Sequence, residues 1–153
     1  MEYEQLREDA LVKLQAFLDS KSGTIDDAMN KWADFVESSE FMKMAHKLNV
    51  YSVYEDDDDP LLKPIAFYGK NQIKKAWDGY EYQELLKENA FIIGYVDFGD
   101  DYIFASINPS EGIAIVNHEY VFCTEDLDQT VASAQSEINC SLEKLLTLLV
   151  PKE

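Results

Sequence analysis

The sequence predicts a single α+β domain: an antiparallel-containing sheet with N-terminal helices and a C-terminal helix packed against it. Amphipathic helical patterns fill the first fifty residues, and three apolar, β-prone runs separated by turn sequences follow between residues 91 and 118. A leucine-rich helical pattern comes last. The chain has 153 residues, 46% of them hydrophobic, which suits one compact core. We therefore interpret residues 1–153 as one domain.

The first fifty residues predict two or three helices. In the first helix apolar side chains recur at helical spacing, at Leu6, Ala10, Leu14, Phe17 and Leu18. Thr24 then looks like the N-cap of a second helix, with apolar residues at Ile25, Ala28, Trp32, Phe35 and Val36. A further helical pattern either extends this helix or forms a third one, at Phe41, Met44, Ala45 and Leu48. Because the connection is short, we expect antiparallel neighbours.

The middle of the chain mixes weak signals. Residues 51–54 are β-prone, and the carboxylates that follow them precede Pro60, which is typical of a solvated loop. This acidic block does not match a calcium-binding EF-hand, because the required glycine and glutamate positions hold Leu61 and Phe67. Residues 65–68 are consistent with a strand. A short helix is indicated after Gly69, and a further helical turn near residues 85–86.

The strongest strand signal begins at Phe91. Three β-branched and aromatic runs, at residues 91–96, 102–107 and 113–118, are separated by turn sequences rich in Asp, Asn, Pro and Gly. Short turns between consecutive strands predict an antiparallel meander. The runs are nearly continuous in apolar residues, so we expect much of this sheet to be covered on both faces.

The last part of the chain predicts a closing helix. Between residues 123 and 139 the pattern fits either a helix or a mobile loop, with apolar residues at Val131, Ala134 and Ile138. Ser141 has the chemistry of an N-cap, and Pro151 would follow the end of the helix. The leucines expected to face inward are Leu142, Leu145, Leu146 and Leu149.

The charge of the chain is strongly acidic and unevenly placed. There are 30 Asp and Glu against 13 Lys and Arg, a formal net charge of -17. No Lys or Arg lies between Lys87 and Lys144, while residues 88–143 hold eleven Asp and Glu. Nucleic-acid affinity depends on Lys and Arg contacts to phosphates, so nucleic acid is excluded as a partner, and anionic membranes are disfavoured in the same way. The acidity indicates a basic protein partner, or it serves only solubility.

The remaining signals indicate a cytoplasmic protein without a cofactor. The first residues lack the apolar region of a signal peptide, and no apolar run approaches the length of a membrane span. Cys123 and Cys140 are then expected to be free thiols in a reducing compartment. No nucleophile motif is present. One alternative stays open, a small metal-dependent hydrolase or metal sensor that uses Asp97, Asp100, Asp101, His118 and Glu119.

Four segments carry a resemblance to a known family. They are Ile-Ala-Phe-Tyr-Gly-Lys-Asn-Gln-Ile at 65–73, Phe-Ile-Ile-Gly-Tyr-Val-Asp-Phe-Gly-Asp-Asp-Tyr-Ile-Phe-Ala at 91–105, a Gly-Ile-Ala-Ile-Val strand followed by His118 and Glu119, and a Ser-Leu-Glu-Lys-Leu-Leu-Thr-Leu-Leu helix. In this order they resemble the SUKH superfamily, which includes fungal cell-wall-assembly regulators and bacterial immunity proteins that neutralise toxins. The resemblance covers roughly residues 65–150. It implies an α+β domain without catalytic machinery, whose activity is binding.

The acidic clusters are therefore predicted to bind the partner. A charge-steered immunity protein would present them to a basic toxin such as a nuclease. The predicted contact residues are Asp97, Asp100, Asp101, Glu111, Glu119, Glu125, Asp126 and Asp128. A second candidate is the acidic loop Asp56, Asp57, Asp58 and Asp59.

Overall fold

The computed structural model describes residues 2–20, 24–49, 62–79, 90–97, 101–106, 111–119, 127–138 and 140–151. Within these ranges the predicted α+β fold class is confirmed, with six helices and a six-stranded sheet. The helices are α1 Tyr3–Asp19, α2 Ile25–Ser38, α3 Glu40–Met44, α4 Lys70–Gly79, α5 Leu127–Ile138 and α6 Leu142–Thr147. The strands are β1 Ala45–Asn49, β2 Leu62–Phe67, β3 Ala90–Val96, β4 Asp101–Ser106, β5 Gly112–Asn117 and β6 Leu149–Pro151.

The sheet is antiparallel throughout, in the order β5-β4-β3-β2-β1-β6. Strands β1 to β5 form a meander, and β6 returns to pair with the outer side of β1. The three strands predicted from turn chemistry lie within one residue of their expected bounds, as β3, β4 and β5. Their continuous burial agrees with the expectation that these strands are covered on both faces.

Helices α1 and α2 pack as predicted. Thr24 is the N-cap of α2, because its Oγ1 accepts a hydrogen bond of 3.1 Å from the backbone N–H of Asp27. Trp32 of α2 is fully buried and meets the ring of Phe17 from α1 at 5.8 Å and that of Phe67 from β2 at 6.5 Å. The contact with Phe67 places α2 on the face of the sheet to which Phe67 and Ile65 belong.

The structure corrects one helix prediction. A third helix does form, but it ends at Met44, and both Ala45 and Leu48 belong to strand β1. The apolar residues from Phe41 to Leu48 fit a helical period, yet β1 pairs with β2 on one side and β6 on the other. These two sets of ladder hydrogen bonds, together with the complete burial of Leu48, outweigh the local helical pattern. The prediction that Ala45 and Leu48 belong to a helix was therefore wrong.

The C-terminal segment also combines helices with a short strand. Helix α5 forms between residues 127 and 138, which settles the choice between helix and loop for the described part of that segment. Ser141 caps α6 by accepting a hydrogen bond of 3.0 Å from the N–H of Lys144. Leu149 faces inward as predicted, but it lies in β6 rather than in the helix. Arg7 of α1 holds this strand through a 3.1 Å hydrogen bond from Nη2 to the Leu149 carbonyl oxygen.

Gly94 lies where β3 bulges against β4, since the pairing shifts register between Ile92 and Gly94. A Cβ at this position would overlap the backbone carbonyl oxygen of Ala66 in β2. The close approach of β2 and β3 at the bulge therefore requires glycine. The predictions for residues 51–54, 55–60 and 85–86 lie outside the described residues.

Candidate functional site

The antiparallel register places acidic residues at one end of the sheet. Asn49 pairs with Leu62, Val96 pairs with Asp101, and Asp101 pairs with Asn117. These pairs bring together the ends of β1, β3 and β5 and the beginnings of β2 and β4. We call this region the acidic end, and its described carboxylates are Asp97, Asp101 and Glu119. Three of the predicted contact residues, separated by up to 22 positions, thus lie at one end of the sheet.

Asp97 is held in an unusual backbone conformation. Its φ of 56° lies in the left-handed region, which Asp and Asn tolerate better than most residues because their short side chains bond locally. Its carboxylate pairs with Lys63 of β2, with 3.2 Å between Oδ2 and Nζ, and both side chains are about one-third exposed. An ion pair this exposed contributes at most about 1 kcal/mol. Asp97 therefore meets a cation of its own chain at the acidic end.

Asp101 and Glu119 are connected through Asn117. The side-chain Nδ2 of Asn117 donates a 3.4 Å hydrogen bond to Asp101, and its Oδ1 accepts one of 3.0 Å from the backbone N–H of Glu119. The second bond closes a turn in which an Asn side chain binds the backbone two residues on. This turn orients the chain as it leaves β5 and leaves Glu119 exposed.

Sequence reasoning missed both Lys63 and Asn117 at this site. Lys63 is 34 residues from Asp97, so only the strand register reveals the pair. Asn117 carried a recognisable signal, because Asn at a strand end commonly forms such a turn.

The other predicted acids are only partly accounted for. Asp128 lies in the first turn of α5. Outside the described residues lie Asp56, Asp57, Asp58, Asp59, Asp100, Glu125 and Asp126. Most of these acids belong to segments that are joined to the described chain at the acidic end. Residues 50–61 join Asn49 to Leu62, and residues 98–100 join Asp97 to Asp101. Residues 120–126 continue from Glu119. These three segments contain eight Asp and Glu and no Lys or Arg.

Glu111 does not belong to this group. It precedes β5 at the opposite end of the sheet, where Gly112 pairs with Ser106. Its Oε2 accepts a 2.9 Å hydrogen bond from the backbone N–H of Leu142, the first residue of α6. A carboxylate at a helix N-terminus is a stabilising arrangement, so the structure gives Glu111 a role in holding α6 against the sheet.

Cys140 lies close to Glu111 and carries a free, buried thiol. Burial raises the pKa of this thiol to about 11; Lys144 lowers the pKa and Glu111 raises it. Such a thiol is almost entirely protonated at neutral pH, and the thiolate is the reactive form. Cys140 is therefore a packing residue rather than a nucleophile.

A metal site using Asp97, Asp101, His118 and Glu119 finds no support in the described geometry. The described part of the chain holds no group of three or more His, Cys, Asp or Glu side chains that could bind a metal ion. Asp97 is directed at Lys63, and Asp100 lies outside the described residues.

Comparison of the chain with protein-family models, with curated proteins and with solved structures finds no significant match. No helix among the residues described is long and apolar enough to cross a membrane.

Proposed function

We propose that this chain is a non-enzymatic binding module of the SUKH type, a cytoplasmic immunity protein that neutralises a basic protein toxin. The observation that carries the proposal is the convergence of acids on one end of the sheet. Asp97, Asp101 and Glu119 are placed there by strand register, and three further segments that together contain eight Asp and Glu are joined to the described chain at that end.

The mechanism is charge-steered docking. A protein of net charge -17 attracts a basic partner over distances of the order of the Debye length, about 8 Å at physiological salt. Complementary charge of this kind raises association rates from about 10⁵–10⁶ to as much as about 10⁸–10⁹ M⁻¹s⁻¹. A toxin that acts on nucleic acid carries its cationic residues at its substrate site, so a carboxylate-rich surface docked there blocks the substrate.

The ion pair between Lys63 and Asp97 fits this mechanism. Lys63 neutralises one carboxylate in the unbound protein, and a pair that is one-third exposed is weak enough to be exchanged. An arginine of the partner can replace Lys63, because its guanidinium binds a carboxylate through two hydrogen bonds. Asp101 and Glu119 then attract cations of the partner around this contact, at the rim of the interface.

The test is coexpression with the proteins encoded by the neighbouring reading frames. We expect one of them to be a basic protein that is toxic when expressed alone, to lose its toxicity in the presence of this chain, and to copurify with it in a defined ratio. Growth inhibition that persists despite normal expression of both proteins would contradict the proposal. Calorimetry with Mn²⁺ and Zn²⁺ separates the metal-dependent alternative, which requires stoichiometric binding.

A further inference from the structure

One exposed helix face carries positive charge in this otherwise acidic chain. Residues 60–77 hold four lysines and no Asp or Glu, and three of these lysines lie on α4. The side chains of these three, Lys70, Lys74 and Lys75, are exposed, whereas Ile73 of the same helix is buried. We call Lys70, Lys74 and Lys75 the lysine face.

The lysine face is not neutralised by the described carboxylates. Lys31, Lys43 and Lys63 each pair with a carboxylate of the chain, but in the described part of the chain no carboxylate pairs with a lysine of α4. Lys70 and Lys74 are one helical turn apart, and like charges at this spacing destabilise a helix. The first turn of α4 also lacks the acidic residue that the helix dipole favours there. In a chain with 30 acids against 13 bases, this arrangement leaves uncompensated positive charge on one surface.

An apolar cleft opens between the end of α2, α3 and β2. Its volume is about 320 Å³, and its apolar lining includes Val36, Met42 and Ile65, each at most 8% exposed. The exposed side chains of Glu37 and Lys43 also line it. Ligand pockets begin at about 300 Å³, so the cleft is large enough to take an apolar side chain of a partner.

Glu37 joins this cleft to the lysine face. Its Oε1 accepts a hydrogen bond of 2.7 Å from the backbone N–H of Lys70, the first residue of α4. The positive end of the helix thereby offsets the charge of the carboxylate. Lysines of two elements therefore lie at or beside the cleft, Lys43 of α3 and Lys70 of α4. An apolar cleft with lysines beside it complements a segment that carries an apolar side chain between carboxylates.

We propose that the cleft and the lysine face together bind an acidic segment of a partner protein, with an apolar side chain in the cleft and carboxylates on the lysines. The occupant is a short segment rather than a nucleic acid, because Lys70 and Lys75 span only about 7.5 Å along the helix axis. A long polyanion would extend from this patch over a chain of net charge -17. At physiological salt, charges beyond about 8 Å are largely screened, so a short acidic segment meets mainly the lysines. This surface uses none of the residues of the acidic end and does not rest on the proposed function.

The first experiment is an NMR titration of the protein at physiological salt with the synthetic peptide Glu-Glu-Leu-Glu-Glu, blocked at both ends. We expect saturable shifts of backbone amide signals confined to α4 and the elements that line the cleft, with Kd of about 5 mM or lower. The control peptide, with Ser in place of Leu, should bind about fivefold more weakly or worse, because it leaves the cleft without an apolar side chain. No saturable binding, equal affinity for the two peptides, or shifts located on other elements would overturn the inference.

The second experiment repeats the titration with two double variants, Lys70→Gln with Lys74→Gln, and Lys13→Gln with Lys31→Gln. Both change the net charge equally, but the control lysines bind groups of their own chain. We expect the α4 variant to bind the Leu peptide about fivefold more weakly and the control to keep Kd within about twofold of the wild type. Circular dichroism verifies that both variants are folded. Equal losses in the two variants would show that only net charge matters, and tighter binding of a single-stranded oligonucleotide to the same lysines would make nucleic acid the occupant. Either result would overturn the inference.

Discussion

Asp97 shows at the scale of one residue how the acidic end is built around a strained backbone position. Its backbone lies in the left-handed region, and its carboxylate pairs with Lys63 on the neighbouring strand β2. Strained residues cluster at functional sites, because the surrounding structure must hold them in place.

Two variants separate the backbone contribution of Asp97 from its charge. Asp97→Asn keeps a side chain that tolerates φ of 56° and removes the ion pair, whereas Asp97→Ala removes both. We expect Asp97→Asn to lower the free energy of unfolding by at most about 1 kcal/mol, and Asp97→Ala to lower it by about 1 kcal/mol more.

Urea denaturation measures both values, with Lys63→Met as the control that removes only the ion pair. Equal costs for the Asn and Ala variants would show that the conformation of Asp97 contributes nothing beyond its charge.

At the scale of secondary-structure elements, the glycine at the β3 bulge is the tightest constraint. Gly94 faces the backbone oxygen of Ala66, which cannot move without separating β2 from β3. Gly112 provides the matched comparison, because an added Cβ there meets the end of the Gln135 side chain at 2.9 Å and the Cys140 carbonyl oxygen at 3.3 Å. A flexible side chain can move aside at little cost.

Gly94→Ala should therefore lower the free energy of unfolding by at least about 3 kcal/mol, and Gly112→Ala by about 1 kcal/mol or less. Chemical denaturation of the two variants under the same conditions tests this difference. A Gly94→Ala variant as stable as Gly112→Ala would mean that β2 and β3 do not approach each other as closely as described.

The elements that sequence reasoning identified are those with local signals. Strands β3, β4 and β5 are bounded by turn residues, and α2 and α6 begin at capping side chains, so each could be located without knowing its neighbours. Strands β1 and β6 are short and are stabilised by pairing with strands distant in sequence: β1 with β2, and β6 with β1 about a hundred residues away. Local propensity could not reveal them, and Ala45 and Leu48 of β1 and Leu149 of β6 were predicted to be helical.

The sequence predicted which acidic residues could form the candidate site, but not which of them lie close together in the structure. The Asp and Glu residues of the turns were identified from composition and turn chemistry. Strand register then separated Glu111, which caps α6 at the far end, from Asp97, Asp101 and Glu119. The same register added Lys63 and Asn117, which have no sequence pattern in common with the acids.

At the scale of the whole molecule, the charge is the property that most limits the choice of partner. A net charge of -17 on 153 residues repels nucleic acid and anionic surfaces and speeds encounter with cationic ones. The fold places Asp97, Asp101 and Glu119 at one end of the sheet.

The most direct test of this account is the association rate with the basic partner as a function of salt. It is measured for the wild type and for a variant in which Asp97, Asp100 and Asp101 are all changed to Asn. Salt should be raised through the range in which the Debye length falls from about 30 to about 8 Å. Glu111→Gln, at the opposite end of the sheet, is the matched control.

We expect the wild-type rate to fall steeply with salt. The triple variant should associate more slowly with a shallower salt dependence, since rim charges act on the association rate, and its dissociation rate should be nearly unchanged. Glu111→Gln should associate like the wild type. An association rate independent of both salt and the three aspartates would contradict the account and leave the acidity of the chain as a solubility feature.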